Sequence, residues 1–510
     1  MMEKKEKGDS YTHILKYTGI FGFVQGLNIL ISVVRNKLVA LILGPEGMGL
    51  MSLFNSTIRV VSDSTNLGVS MSAVRNISEA YGQGDERRLE HVVIQVRTWS
   101  LLTALLGAML CITLSPLLNK WTFDWGDHTL HFIFLSPVVA LTAITGGELA
   151  ILKGTRHLSR LAMQSVYGVI GALVTSVPLY LIWNERAVVP SLIIIALVQF
   201  LSTVIYSYRL YPLRLRYARA CFGEGLNMVK VGIAFVTSAI IESSAEFIIR
   251  SFLNNTADLS TVGLYNAGYM MTMTYAGMVF QAMETDYYPR LSCVKGTGTQ
   301  LNEVVNHQIE ASLLLVSPLL VAFIISAPIL LPLLYSDHFQ PVVDMMKLAL
   351  LAMYIRAIDL PIEYLPLSKG DSRTYIAIEL VYGVTMVGAV LTGYHYFGLT
   401  GAGAGILLTG AINLMVSLAL TRLRYGYRLS RNVILYTLIH FPIGCLAFVL
   451  TLFFQGVVYW TGGVILVLTS LAVSVKILRG KSHLWESITK KVKAKFGRMT
   501  IPPKKLRSDF

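Results

Sequence analysis

Val188–Tyr208 reads VVPSLIIIALVQFLSTVIYSY, a stretch without one charged side chain. At about 1.5 Å per helical residue it is long enough to cross a hydrocarbon layer of about 30 Å. Backbone N–H and C=O groups find no water inside such a layer, so the run must be a helix that satisfies them internally. Similar runs recur on both sides of it, from near Ile14 to near Ile477. They place spans at 14–43, 47–70, 93–119, 129–152, 159–183, 188–208, 226–252, 259–286, 309–335, 341–366, 373–396, 399–421, 431–455 and 458–478. Only 14% of the chain is charged, against about a quarter in a soluble domain. The expected fold class is an all-α integral membrane protein of about fourteen transmembrane helices.

The net charge of +14 invites a nucleic-acid partner, and the placement of the basic residues excludes one. With helices alternating from a cytoplasmic start, roughly 33 of the 43 Lys and Arg fall in segments on that one side. The excess is a topology signal that puts both termini in the cytoplasm. The even count of spans agrees, as does the basic tail with Lys490, Lys491, Lys493 and Lys495. The four cysteines have no metal or redox spacing, and a packing role is expected for each.

A basic linker at 209–225, with Arg209, Arg214, Arg216 and Arg219, divides the chain. The divisions are an N-terminus at 1–13, a six-helix bundle at 14–208, the linker, a second bundle at 226–421, two added helices at 422–478 and the tail at 479–510. The two bundles open alike. Arg35 precedes Gly49-Leu50, and Arg250 precedes Gly263-Leu264 at nearly the same distance. Such internal repeats are how transporters build two pseudo-symmetric lobes around a midplane site.

The stretch Leu43-Gly44-Pro45-Glu46-Gly47-Met48-Gly49-Leu50 resembles the first turn of the polysaccharide transporters, the Wzx-type flippases of the multidrug/oligosaccharidyl-lipid/polysaccharide exporter (MOP) superfamily. Val262-Gly263-Leu264-Tyr265-Asn266-Ala267 and Tyr288-Pro289-Arg290-Leu291-Ser292 are similar to that family's second-half signatures. The resemblance runs over roughly residues 10–480. It implies two six-helix bundles around a central cavity, alternating access, and a polyprenyl-diphosphate oligosaccharide as cargo, a repeat unit of O-antigen, capsule or exopolysaccharide. It further implies a bacterial cytoplasmic membrane, and as partners that lipid-linked oligosaccharide, the bilayer and other polysaccharide-assembly proteins.

Function should reside in ionisable residues kept inside the spans at a cost of several kcal/mol. Arg35 and Lys37 interrupt the first run, which resumes at Leu38. Asn55, Arg59 and Asp63 share one face of the second span, as do Ser238, Glu242, Glu246 and Arg250 of the seventh. The tenth holds Lys347, Arg356, Asp359 and Glu363, with Pro361 expected to break the helix between the two acids. Arg35, Lys37, Arg59, Arg250 and Arg356 are the expected diphosphate ligands, because a diphosphate taken from water needs several charged donors. Asp63, Glu242, Glu246, Asp359 and Glu363 either pair with these cations or hold a coupling proton or sodium ion. Glu148 and Glu379 stand more alone, each expected as a protonated or hydrogen-bonded carboxyl.

No resident cofactor or metal is expected. The chain has no Gly-x-x-x-x-Gly-Lys phosphate loop, so energy would come from a gradient or from the cargo's own charge. The external loops are short and contain no Asp-x-Asp pair, which makes a membrane enzyme of polysaccharide assembly a weak alternative. The nearer rival is a cation-coupled multidrug exporter on the same scaffold, which would want an acidic or aromatic cavity.

Overall fold

The computed structural model describes residues 2–213, 218–294, 296 and 298–481. Arg214 and Arg216 of the linker and the basic tail beyond Lys481, with its four-lysine cluster, lie outside the described residues. Among those described, the regular structure is helical throughout.

α1 (Met2–Thr65) is two crossings joined at Gly44, whose φ of 63° and ψ of −169° break the helix before Pro45 starts it again. Only glycine takes that backbone shape without strain, and proline at a helix start loses no hydrogen bond. The second crossing is prolonged by α2 (Val69–Gly82) beyond a left-handed turn at Leu67 and Gly68. α3 (Glu86–Thr113) and α4 (Ser115–Thr122) make the third crossing. α5 (Thr129–Gly154), α6 (Leu158–Trp183) and α7 (Val188–Tyr208) complete the first half.

The second half begins with α8 (Ala218–Thr256). One crossing is then built from α9 (Leu259–Tyr269), a π-helical turn at Met270–Ala276 and α10 (Met278–Ser292). α11 (Thr299–Leu334) and α12 (Val343–Ser368) follow. α13 (Ser372–Tyr425) repeats the device of α1, folding back at Gly398 with φ 60° and ψ −145°. α14 (Arg431–Phe453) and α15 (Gly456–Lys481) pack on the flank of α11, where the Tyr459 hydroxyl donates to the Ile325 carbonyl at 2.5 Å. The described helices thus make fourteen crossings, as the hydropathy pattern predicts.

Eight helical segments are long and apolar enough by themselves to span a membrane, three of them doubled back at Gly44, at Asn184–Ala187 and at Gly398. Among the described residues, the remaining crossings are α8, α9 with α10, and α12. These are the helices that line the charged chamber described below. Their polarity is affordable because it faces protein and a cavity, where lipid does not reach it.

The two halves meet where the second part of α1 crosses α9. A Cβ on Gly49 would lie 1.9 Å from the Leu259 carbonyl oxygen, and one on Gly263 would lie 1.9 Å from that of Pro45. The repeated Gly-Leu pairs therefore clasp each other, each glycine admitting the other half's backbone. The contact seals the end of the molecule that carries the Gly44 and Gly398 turns, called here the Gly44 face.

Candidate functional site

Two cavities stand in series along the seam between the halves. The larger, about 480 Å³, lies between mid-depth and the face opposite Gly44, bounded by α1, α8, α9 with α10, α12 and α13. The smaller, about 300 Å³, lies on the Gly44 side and is lined by Arg35, Asn36, Ser52, Asn55, Asn266 and Tyr335 among others. Arg59, Glu246, Arg250 and Met270 border both, so they form the partition.

That partition is an ion-pair network joining one half to the other. Arg59 on α1 lies 2.8 Å from Glu246 and 3.2 Å from Glu242, both on α8, and 3.8 Å from Asp63 on its own helix. Arg250 lies 3.1 Å from Glu246, donates to Ser52 Oγ at 2.8 Å and to Asn266 Oδ1 at 3.2 Å, and stands over the Tyr269 ring. Four-residue spacing puts Glu242, Glu246 and Arg250 on one face of α8, as the sequence predicts. Sequence spacing favours pairs within a helix, yet the shortest of these contacts crosses between helices.

Three of the predicted cations, Arg35, Lys37 and Arg356, have no carboxylate within ion-pair range among the described residues. Arg356 borders the larger cavity, and Arg35 borders the smaller, where its Nε donates to Ser176 Oγ at 3.2 Å. Each cavity thus presents one guanidinium outside direct ion-pair contact. The π-helical turn supplies the larger cavity with Met270, Met273 and Thr274. An i→i+5 turn inserts one extra residue and re-aims the side chains that follow, which is a common device beside functional sites.

Deeper in the second half, Asn413 on α13 donates to Asp359 Oδ2 at 2.7 Å and to Glu363 Oε1 at 2.5 Å. Glu363 reaches the larger cavity, whereas Asp359 is buried behind it. Asp359 Oδ1 and Asn413 Oδ1 are both buried with no hydrogen-bond partner. Two carboxylates around one amide, with acceptor oxygens to spare, are short of positive charge or protons.

Several expectations need correction. Lys37 does not face either cavity, because its ammonium caps the end of α11 on the Pro332 and Leu333 carbonyls at 3.2 and 2.7 Å. Helix C-terminal carbonyls lack internal partners, and a nearby lysine satisfies them. Arg59 and Arg250 are in place but already engaged with acids. Pro361 does not break α12, which runs on to Ser368; the irregular turn belongs instead to Met270–Ala276. Glu148 makes an interhelical bond, one of the two expected readings: Arg97 grips it with contacts of 2.8 and 3.1 Å and also donates to the Tyr211 and Pro212 carbonyls at the start of the linker. Near a span end an arginine ordinarily snorkels to headgroups, so sequence alone gives Arg97 no partner. Glu379, also expected to stand apart, borders the larger cavity, joined by Tyr364, Tyr375 and Tyr382.

Residues 38–344 match the family described as polysaccharide biosynthesis protein. The chain belongs to that family. Among curated relatives, stage V sporulation protein B of Bacillus subtilis (strain 168) is 23% identical over 154 residues, which is 28% of this chain and 30% of that protein. The match thus spans less than a third of that relative. Among solved structures, an inward-facing multidrug resistance MATE family transporter of the MOP superfamily is similar with a TM-score of 0.64 at 18% identity, over 78% of this chain and 94% of its own. The lipid II flippase MurJ, in an inward closed conformation, has a TM-score of 0.62 at 13% identity, over 90% of this chain and 99% of its own. These likenesses establish for this family member the transporter fold of a multi-pass membrane protein.

Proposed function

We propose that this polysaccharide biosynthesis family member is a flippase, moving a polyprenyl-diphosphate-linked oligosaccharide from the inner to the outer leaflet of a bacterial cytoplasmic membrane by alternating access. The cargo is a repeat unit of a surface polysaccharide such as O-antigen, capsule or exopolysaccharide. Both termini face the cytoplasm, so the larger cavity faces the donor leaflet and the Gly44 face is external. The observation that carries this reading is the pair of cavities in series, each with one arginine outside direct ion-pair contact, and an ion-pair partition between them.

In this scheme Arg356 receives a phosphate in the larger cavity, where a guanidinium offers several donors at once. The partition then opens: Arg59 leaves Glu242 and Glu246, the Gly49–Gly263 clasp parts, and the phosphate passes to Arg35. With the cytoplasm negative, each elementary negative charge moved outward gains about 2.3 kcal/mol per 100 mV, which favours export of a diphosphate. Asp359, Glu363 and Asn413 are where a coupling proton or sodium ion would be held, the spare Oδ1 atoms of Asp359 and Asn413 being suited to either. The chain itself makes and breaks no bond of the cargo.

The test is removal of the gene followed by analysis of lipid-linked intermediates. Accumulation of an undecorated diphosphate oligosaccharide on the inner leaflet, reversed by the native chain and not by Arg356→Ala, is the expected result. Unchanged intermediates would sink the reading. One observation favours a second reading, a cation-coupled drug exporter: Glu242, Glu246, Glu363 and Glu379 make the larger cavity acidic, and aromatic side chains line it. That reading requires efflux of lipophilic cationic dyes to fall when the gene is lost.

A further inference from the structure

A third cavity, about 530 Å³, lies on the outer side of the seam between the halves. Its floor is Val60, Val61 and Ser64 of α1, one wall is α3 with α4, and the other wall is α8. The walls thus belong to different halves. Among the described residues its lining is aliphatic or aromatic apart from Ser64, Ser244 and Ser251, and none of it is charged. Ile248 and Trp121 along it are 45% and 54% exposed, so the cavity is a groove open to the bilayer. It runs inward from Trp121, at the Gly44-side end of α4, as far as Ser64, the residue after Asp63 of the ion-pair network. α1 and α8 therefore show charge on one side and hydrocarbon on the other: Arg59, Glu242 and Glu246 border the chambers, while Val60, Phe247 and Ile248 line the groove.

A lipid-linked cargo whose diphosphate is inside the protein keeps its tail in hydrocarbon, because wetting a long isoprenoid chain is prohibitive. The tail must then leave through a seam between the halves. On this seam the Arg59–Glu242 pair is 44% and 48% exposed, the kind of pair that parts at little cost. A free phospholipid gains no hydrophobic free energy by moving from the bilayer into a groove. A tail tethered to a head group held one helix away has a high effective concentration there, and close packing is enough to seat it. Ser251 adds a second observation. It is 5% exposed, lines the groove beside Arg250 in sequence, and its Oγ is buried without a hydrogen-bond partner. Such a hydroxyl suits a ligand that carries oxygen at the end of a hydrocarbon chain, as a polyprenyl phosphate ester does. The Gly44-side end of the groove is held in shape by Asn254 and Asn255 of α8, which donate to the Thr122 and Trp121 carbonyls at 2.7 and 3.0 Å. We infer that this groove holds the polyprenyl tail of the cargo on the Gly44 side of the membrane while the diphosphate is at Arg35. The inference rests on the reading of the chain as a carrier of lipid-linked oligosaccharide and adds a binding site for the lipid.

The experiment uses the full chain in vesicles of phosphatidylethanolamine and phosphatidylglycerol, with two fluorescent diphosphate disaccharides, one on a long polyprenyl chain and the other on geranyl. Flipping is read by protection from a membrane-impermeant quencher. The long probe should cross at least about tenfold faster. In Ser244→Trp, which fills the groove, the ratio should fall toward one as the long probe slows; Ser244→Leu, a milder filling, guards against a tryptophan variant that does not fold. Independently, a photoreactive benzophenone residue at Ile248 should capture the long probe at least about tenfold more than one at Leu446, an exposed position on α14 outside the groove.

Equal rates for the two probes in the native chain would overturn the inference while leaving the carrier reading intact. Capture of a labelled phospholipid at Ile248 as efficient as that of the long probe would also overturn it, making the groove an ordinary lipid contact. A ratio unmoved by both Ser244 variants would remove the tail from this groove. Movement of neither probe would overturn the carrier reading, and the inference would fall with it.

Discussion

Two clusters of arginine and glutamate in this chain share a composition and differ in setting. Arg97 and Glu148 are joined inside the first half, with 4% and 2% of their side chains exposed, and every nearby partner is fixed. Arg59 and Glu242 stand at the seam, 44% and 48% exposed, within a network that spans the two halves. A buried, fully bonded pair cannot be opened without stranding a charge, whereas a wet pair trades its partner for water at little cost. The first arrangement therefore fixes the linker to its lobe, and the second is suited to open and close.

Breaking the buried cluster should have the largest effect. Arg97→Ala leaves Glu148 unpaired and should cost about 3–5 kcal/mol, read as a large drop in thermal unfolding temperature in detergent. Arg97→Met with Glu148→Leu should recover much of that loss, because it removes both charges at once. If Arg97→Ala unfolds no earlier than Arg59→Ala, the contrast between the two clusters fails.

Arg356 belongs to neither kind, sharing its cavity with acids but making direct ion-pair contact with none of them among the described residues. Its replacement by alanine should leave stability nearly unchanged and lower the flipping rate of a lipid-diphosphate probe about 10- to 100-fold, the worth of a hydrogen bond to a charged group. Arg356→Lys should restore part of the rate, since lysine returns the charge without the planar fork.

Arg59→Ala should cost less stability than Arg97→Ala, since the Arg59–Glu242 pair is half in water and Glu246 keeps Arg250 as a partner. It should instead loosen the partition, so that a cysteine placed at Ser52 reacts faster with a water-soluble thiol reagent applied from the Gly44 side. An unchanged reaction rate would remove Arg59 from any gating role. The smallest effect is on salt dependence: the stability difference caused by Arg59→Ala should shrink by a few tenths of a kcal/mol in high salt, while that of Arg97→Ala should not.

Much of the architecture was legible in order along the chain. The Gly44-Pro45 and Gly398 turns, the fourteen apolar runs and the matched Gly-Leu pairs are local signals, and hydropathy with backbone stereochemistry reads them directly. The faces of α1, α8 and α12 that carry charge were also legible, because helical periodicity places residues four apart together. Which charge meets which was not. Spacing suggested Arg59 with Asp63, which stands at 3.8 Å, but the shortest contact of Arg59 crosses to Glu246; Lys37 looked like a cavity cation, but it caps α11; an interhelical bond was one reading of Glu148, but spacing did not name Arg97 as the partner.

By itself, then, the sequence determined that the chain lives in a membrane and how many times it crosses, since transfer of apolar surface and internal satisfaction of backbone bonds act residue by residue. Only the tertiary structure decided that Arg35 and Arg356 keep their charge open while Arg59, Arg97 and Arg250 do not. Compensation of a charge depends on distances of 3 to 4 Å between side chains far apart in the chain, and the packing of helices alone sets those distances.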